Sequence, residues 1–422
     1  MKTQQKLIEV YAHWVGLLQP TLLGTLTVTP SRGKEIFAFE YNPDWLRGSP
    51  TLTIDPAMRL YRGVQYAPAG QNNFGVFLDS SPDRWGRFLM DRRETQLARE
   101  EGRTARKLLE SDYLLGVYDA HRIGGLRFRL NSTDTFLDNN KAYASPPWTS
   151  LRELEHASLE LEKDHAEENK NYSRWLQMLI APGGSLGGAR PKASVVDEQQ
   201  HLWIAKFPSA HDEINIGAWE MVAYRLAQRA KVVMSPAKVQ KFNSEHHTFL
   251  SQRFDRTDHR ERVHFASAMT LLQRTDGDDA SQGASYLELA EFIIQYGAEP
   301  GRDLEQLWRR IVFSMCISNV DDHLRNHGFL FQPNGWVLSP AFDINPVATG
   351  NGLKLNVSQH DNAQDLALAR EVAEYFRVKP ATADGIIKEV VAAAREWRKE
   401  ASALNISARE QNQMAGAFRL VE

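Results

Sequence analysis

"NVDDHLRNHGFLFQPNGWVLSPAFDINP", residues Asn319–Pro346, places polar groups on both sides of two short apolar runs. Asp321, Asp322, His323, Asn326 and His327 precede the runs, and Asp343 follows them. "GFLF" and "WVLS" flank the turn-forming "QPNG", which predicts a hairpin of two short strands. A hairpin returns the chain close to its start, so Asp343 is expected to approach Asn326 despite their separation in sequence. Upstream, Leu304, Leu307, Trp308, Ile311, Val312 and Met315 recur at helical spacing. That apolar stripe reads as core, and it anchors the polar loop.

Asp321 and Asn326 have the spacing D-x-x-x-x-N, which separates the base from the metal-binding Asn in the catalytic loop of protein kinases. Magnesium takes oxygen ligands and keeps several waters, so one carboxylate and one amide oxygen suffice beside ATP phosphates. Asn326 and Asp343 supply them on this reading. Asp321 stays off the metal and accepts the proton of an attacking hydroxyl, an effect of about 10²–10⁴-fold for a positioned base. Arg325 neutralises phosphate charge in the transition state. Taken singly, each carboxylate reads as a cap or a surface residue; the combination points to phosphoryl transfer. His323 is assigned to ordering the loop and is grouped with the nucleotide-binding residues. A rival reading makes Asp321, Asp322, His323 and Asp343 a metal-dependent phosphohydrolase site. Such sites need several convergent His and Asp ligands. The nearest second cluster, "HDNAQD" (His360–Asp365), lacks the spacing.

A second motif lies upstream. "APGGSLGGARPK" (Ala181–Lys192) has four glycines between Gly183 and Gly188. Glycines permit positive φ, so several N–H groups can point at one anion. Gly183 and Gly188 match the Walker spacing, but Ala189 stands where that motif needs Lys, and G-x-G-x-x-G is also absent. "KASVV" and "HLWIAKF" follow and read as a β-hairpin. Leu202, Ile204 and Lys206 fall on one face of its second strand. A lysine there is either an edge residue reaching water or a phosphate ligand beneath the glycine loop, as in protein kinases. Glu220, in the helical "EINIGAWEMVAYRLAQRA", is a candidate partner for Lys206.

The chain has 422 residues, enough for two or three domains. Hydrophobic residues make up 42% and charged residues 24%, with a net charge of −3, so there is no global attraction to nucleic acid or anionic lipid. Cys316 is the single cysteine, which excludes an internal disulfide and argues against a zinc-thiolate centre. The N-terminal "MKTQQKLIEVYAHW" lacks a signal-peptide apolar core, and no run reaches the ~18 apolar residues of a membrane span. A cytoplasmic location is expected.

"GTLTVTP", "EIFAFEY", "TLTID" and "GVFLD" predict a β-rich start. "DRWGRFLMDRRETQLARE" from Asp83 predicts a helix with Trp85, Phe88 and Leu89 on its apolar side. "NSTDTFLDNNKAYASPPW" (Asn131–Trp148) reads as a linker, and "TSLRELEHASLELEKDHAEENK" as an acidic helix capped by Thr149 or Ser150. Beyond Arg253–Asp255 the pattern is mostly helical. The expected architecture is α+β: a β-rich N-terminal subdomain (1–130), a mixed α/β kinase-like N-lobe (149–252) and a helical C-lobe (253–422).

"FLDSSPDRWGR", "SLGGARPK", "WIAKFP", "QRFDR", "NVDDHLRN" and "SPAFDINP" together resemble the HipA family, the serine/threonine kinase toxins of bacterial HipA–HipB toxin–antitoxin modules. The resemblance covers most of the chain. It implies that Gly187, Gly188, Ala189 and Lys192 contact ATP, that Lys206 binds phosphate, and that Arg253 and Phe254 lie by the adenine hinge. It also implies Asp321 as base and Asn326 and Asp343 as magnesium ligands. Ser185 matches the loop serine that family members autophosphorylate, a step understood to expel the loop. A phosphate there adds about −1.5 to −2 charges. Gln252 replaces an acidic hinge residue of the best-known member, and "GGARP" replaces its Gly-Ala-Gln-Glu version of the loop. The implied partners are a HipB-like helix-turn-helix antitoxin, DNA only through that antitoxin, and a protein substrate such as an aminoacyl-tRNA synthetase. A further rival is a non-catalytic HipA-like regulator or corepressor; the complete Lys206, Asp321, Asn326 and Asp343 set argues against it.

Overall fold

The structure is a computed structural model that describes residues 5–48, 52–132, 135–141, 144, 146–183, 188 and 190–422. The chain divides into two compact units. One holds Met1–His211, Phe242–Ser244 and Asp255–Ala266, and the other holds Asp212–Lys241, Glu245–Phe254 and Ser267–Glu422.

In the first unit, strands β1 (Lys6–Ala12), β2 (Thr21–Ser31), β3 (Lys34–Tyr41), β4 (Gln65–Tyr66) and β5 (Leu126–Arg129) form an antiparallel sheet in the order β4-β3-β2-β1-β5. Helix α1 (Pro43–Arg47) follows β3, and α2 (Gly75–Asp79) packs on the sheet. Alternation places Ile8, Val10, Leu26, Val28, Phe37, Phe39 and Phe128 inside. Phe74 and Phe77 complete that layer, edge-on or tilted against Phe39 and Phe128 at ring separations of 5.8–6.4 Å.

Two expected strands are corrected here. "GVFLD" is helix α2, and the described part of "TLTID" is irregular. Asp55 explains both. Its Oδ1 accepts from Ala57 N at 2.8 Å and turns the chain, while its Oδ2 accepts from Val76 N at 3.0 Å in the first turn of α2. A short apolar run fits a buried helix as well as a strand, and this carboxylate decides between them.

Helix α3 (Arg84–Glu100) begins at its cap Asp83, as expected. α4 (Glu110–Leu115) follows, and the Arg122 guanidinium, fully buried, donates to the carbonyls of Ser80, Leu114, Val117 and Leu137. α5 (Leu151–Leu161) is the acidic helix, shorter than its sequence suggested; beyond it the chain turns at His165, whose φ is +58°. α6 (Tyr172–Gly183) leads into the glycine stretch and packs against α3, α5 and the following strand. β6 (Lys192–Val196) and β7 (Leu202–Lys206) form the expected hairpin, with Lys192 opposite Lys206.

The second unit contains α7 (Ile216–Arg229), the hairpin β8 (Ala237–Gln240) and β9 (Thr248–Gln252), and the helices α9 (Tyr286–Tyr296), α10 (Pro300–Cys316), α11 (Leu366–Glu371), α12 (Pro380–Arg395), α13 (Trp397–Ala403) and α14 (Ala408–Met414). A three-residue strand, β10 (Phe265–Ser267), leads into the short α8 (Ala268–Leu271). β11 (Gly328–Gln332) and β12 (Gly335–Leu338) are the hairpin read from the opening stretch. α10 is its support. Leu304, Leu307, Trp308, Ile311, Val312 and Met315 are all fully buried, against α9, α11 and α12. Asp303 accepts from Leu338 N at 2.8 Å and pins β12 to the start of α10. The overall fold is α+β. Among the described residues no helix is long and apolar enough to cross a membrane.

Candidate active site

The polar loop starts where α10 ends. Ser318 adopts φ +49° and turns the chain, and Asn319 N returns to Ser314 O at 2.8 Å. The next residues fold on the main-chain carbonyl of Asp321. It accepts from His323 N at 2.9 Å and from Asn326 Nδ2 at 3.0 Å, while Asn326 N donates to His323 O at 2.8 Å. Asp321 itself is exposed, and Asn326 is buried. Because its amide nitrogen is engaged with Asp321, the Asn326 Oδ1 is the side left to accept or to ligate.

The hairpin returns the chain as predicted. Phe329 pairs with Leu338, and Ser339 N donates to Gly328 O at 2.9 Å. The segment beyond then docks against the end of α10: Asn345 N donates to Asn319 Oδ1 at 3.4 Å and Val347 N to Ser318 O at 3.1 Å. Asn319 thus ties the Asp321 loop and the Asp343 segment to one helix end. Asp343 has φ +57°, a left-handed conformation that costs a non-glycine residue strain and clusters at functional sites. Its neighbour Phe342 lies 5.5 Å from the ring of Phe254, so the expected hinge residue and Asp343 share one part of this unit.

A buried network that the sequence did not reveal sits beneath the loop. Asp322 is buried and accepts from the Tyr286 hydroxyl at 2.7 Å, and His327 Nε2 lies 3.1 Å from its other oxygen. Burial alone would raise the Asp322 carboxyl, but His327 and the Tyr286 hydroxyl hold it below its ordinary range. Asp322 is therefore committed to holding the loop. The engagement of Asp322 with Tyr286 and His327 weighs against the phosphohydrolase reading, which used that carboxylate. Among the described residues no group of three or more His, Cys, Asp or Glu is arranged to hold a metal ion. Magnesium held by one amide oxygen and one carboxylate, with substrate phosphates completing its shell, needs no such group. The Asn326 Oδ1 and the Asp343 carboxylate fit it in donor type.

Arg325 is half-buried and donates to Asp276 at 3.1 Å. His323 keeps a buried Nδ1 without a hydrogen-bond partner among the described residues. Arg253 is buried at the end of β9. In the first unit, Lys192 is buried and Lys206 half-buried on facing strands. Gly188 is described, with φ +91°. Ser185, Gly187 and Ala189 lie outside the described residues. Glu220, expected to be a partner of Lys206, is a buried residue of α7.

The fold and the loop together define a protein of the HipA kind. The HipA-like C-terminal domain family matches residues 184–398, and the chain belongs to that family. The chain is similar in fold to a chain of the Shewanella oneidensis MR-1 toxin–antitoxin complex of HipA, HipB and operator DNA. The TM-score is 0.61 at 15% identity, over 98% of this chain and 95% of that one. A Haemophilus influenzae protein named "Putative kinase" is 25% identical over 202 residues, 43% of this chain. The match spans 59% of that relative's length. The Helicobacter pylori proinflammatory kinase CtkA aligns with 55% of this chain at a TM-score of 0.34 and 14% identity.

Proposed function

We propose that the chain is an ATP- and magnesium-dependent serine/threonine protein kinase of HipA type. The observation that carries this reading is the single helix end, at Ser314–Asn319, that supports both the Asp321–Asn326 loop and the segment bearing Asp343. Family membership and the kinase name of the Haemophilus influenzae relative support it.

Asp321 accepts the proton of the attacking hydroxyl. Asn326 and Asp343 hold magnesium, which when bound would neutralise charge developing on the phosphates. Lys192 and Lys206 bind phosphate with Gly187, Gly188 and Ala189; Arg253, Phe254 and His323 contact the nucleotide; Arg325 stabilises the transition state once it leaves Asp276. Ser185 is the autophosphorylated residue. The functional division is the one expected from sequence: 1–130, 149–252 and 253–422. The protein acts in the cytoplasm as a growth-arresting toxin, restrained by a HipB-like helix-turn-helix antitoxin that alone contacts DNA. Its substrate is a protein of the translation machinery, with an aminoacyl-tRNA synthetase the leading class.

The test is to incubate a cell lysate with the protein, magnesium and γ-labelled ATP, and to identify labelled proteins by mass spectrometry. Phosphoserine or phosphothreonine on a discrete protein supports the reading. ATP binding without transfer to any protein, itself included, favours the non-catalytic regulator.

A further inference from the structure

The "SSPDRWGR" turn, Ser80–Arg87, has no assigned part in phosphoryl transfer. Asp83 Oδ1 accepts from Arg84 N at 2.8 Å and caps α3. Its other oxygen, Oδ2, accepts from Gly188 N at 2.5 Å. The adjacent Trp85 N donates to Gly188 O at 3.2 Å, and the buried Trp85 Nε1 donates to Lys192 O at 2.9 Å. Three hydrogen bonds from the first turn of one helix thus grip Gly188 and Lys192. A cap needs only the first Asp83 oxygen; the second is spent on the glycine stretch, in a charge-assisted bond.

Gly188 needs such a grip. Its φ of +91° is open to glycine and strained for other residues, and a Cβ there would stand 2.4 Å from Lys192 Nζ. The Lys192 ammonium therefore lies directly over the Gly188 backbone. Helix α6, whose C-terminal end is Gly183, also packs against α3.

We propose that Asp83 and Trp85 are positioning residues for nucleotide binding: they touch no substrate and act by holding Gly188 and Lys192 in place. This rests on the kinase reading and adds that a helix outside the 149–252 segment sets ATP affinity. Loss of the grip would lower the fraction of molecules with a competent loop, which weakens apparent binding without changing the chemical step.

The test has two arms. Without nucleotide, the Gly188 amide should exchange with deuterium at least about tenfold faster in Asp83→Ala than in wild type, with α10 amides unchanged. With nucleotide, the Kd and KM for ATP should rise about tenfold in Asp83→Ala while kcat at saturation stays within about threefold. Asp83→Asn should recover most of the affinity, because its amide oxygen can still accept from Gly188 N. Trp85→Phe keeps the ring, loses the bond to Lys192 O, and should fall between. Unchanged Gly188 exchange in folded Asp83→Ala overturns the grip alone. Faster exchange with unaltered ATP affinity overturns its role in binding. Wild-type protein that binds no ATP sinks the kinase reading and the positioning role with it, whatever the exchange arm shows about the grip.

Discussion

Asn326 Nδ2 donates to the Asp321 main-chain carbonyl over 3.0 Å, so the proposed metal ligand and the proposed base are held as one unit. Replacing Asn326 separates the two functions of its amide. Asn326→Asp keeps an oxygen for the metal but loses the donor, and should reduce kcat about tenfold, the worth of one hydrogen bond of about 1.4 kcal/mol. Asn326→Ala loses both and should reduce it at least about 10²-fold. Steady-state kinetics with ATP in excess distinguish them; equal losses would show that the bond to Asp321 does not matter.

Asp343 predicts a divergence of activity and stability. Its φ of +57° favours glycine. Asp343→Gly should abolish phosphoryl transfer yet unfold no more readily than wild type. Asp343→Ala removes the same carboxylate without relieving the backbone and should be about 1 kcal/mol less stable than the glycine variant. Urea titrations of the three proteins decide the point, and identical stabilities for the two variants would remove the argument from strain.

Beneath the loop, Tyr286→Phe should cost about 1–2 kcal/mol through the lost bond to Asp322. Asp322→Ala should cost more, about 2–5 kcal/mol, because it leaves both the Tyr286 hydroxyl and the His327 ring buried without this partner. Chemical denaturation measures both. A larger loss from Tyr286→Phe than from Asp322→Ala would mean that the carboxylate is not the centre of the network.

Much of this site was legible because its signals are local. The Asp321–Asn326 spacing, the α10 stripe and the hairpin of Gly328–Leu338 each lie within a few turns of chain, where periodicity and turn chemistry act. Asn319, Tyr286 and Asp322 were not recognised as supports, because each works through a partner that only folding supplies. The same holds for Asp83, whose second oxygen meets Gly188 from 105 residues away in sequence. "GVFLD" was misread for a related reason: five apolar-rich residues suit either element, and a distant Asp55 settles the choice. β1 was missed, since only its pairing with β2 and β5 distinguishes "KLIEVYA" from other amphipathic runs.

Asp55 also makes a pH prediction. Burial raises its carboxyl to about 6, against the opposing hydrogen bonds from Val76 and Ala57. The folded state therefore binds this proton more tightly than the unfolded chain, whose Asp titrates near about 3.9. Asp55 contributes most below that value, and its contribution is lost as pH rises through about 6. The stability of wild type relative to Asp55→Asn should fall between pH 4 and 7 and then level off. A difference independent of pH would show that Asp55 stays ionised in the fold.

The central claim is that Asp321, Asn326 and Asp343 carry out phosphoryl transfer, and one measurement tests it most directly. Wild type, Asp321→Asn and Asp343→Asn are incubated with magnesium and γ-labelled ATP, and incorporated label is mapped by mass spectrometry alongside circular dichroism of each protein. The account predicts phosphate on Ser185 in the wild type and none in the two folded variants. Label of equal extent in Asp321→Asn, or none in a wild type that binds ATP, would contradict it.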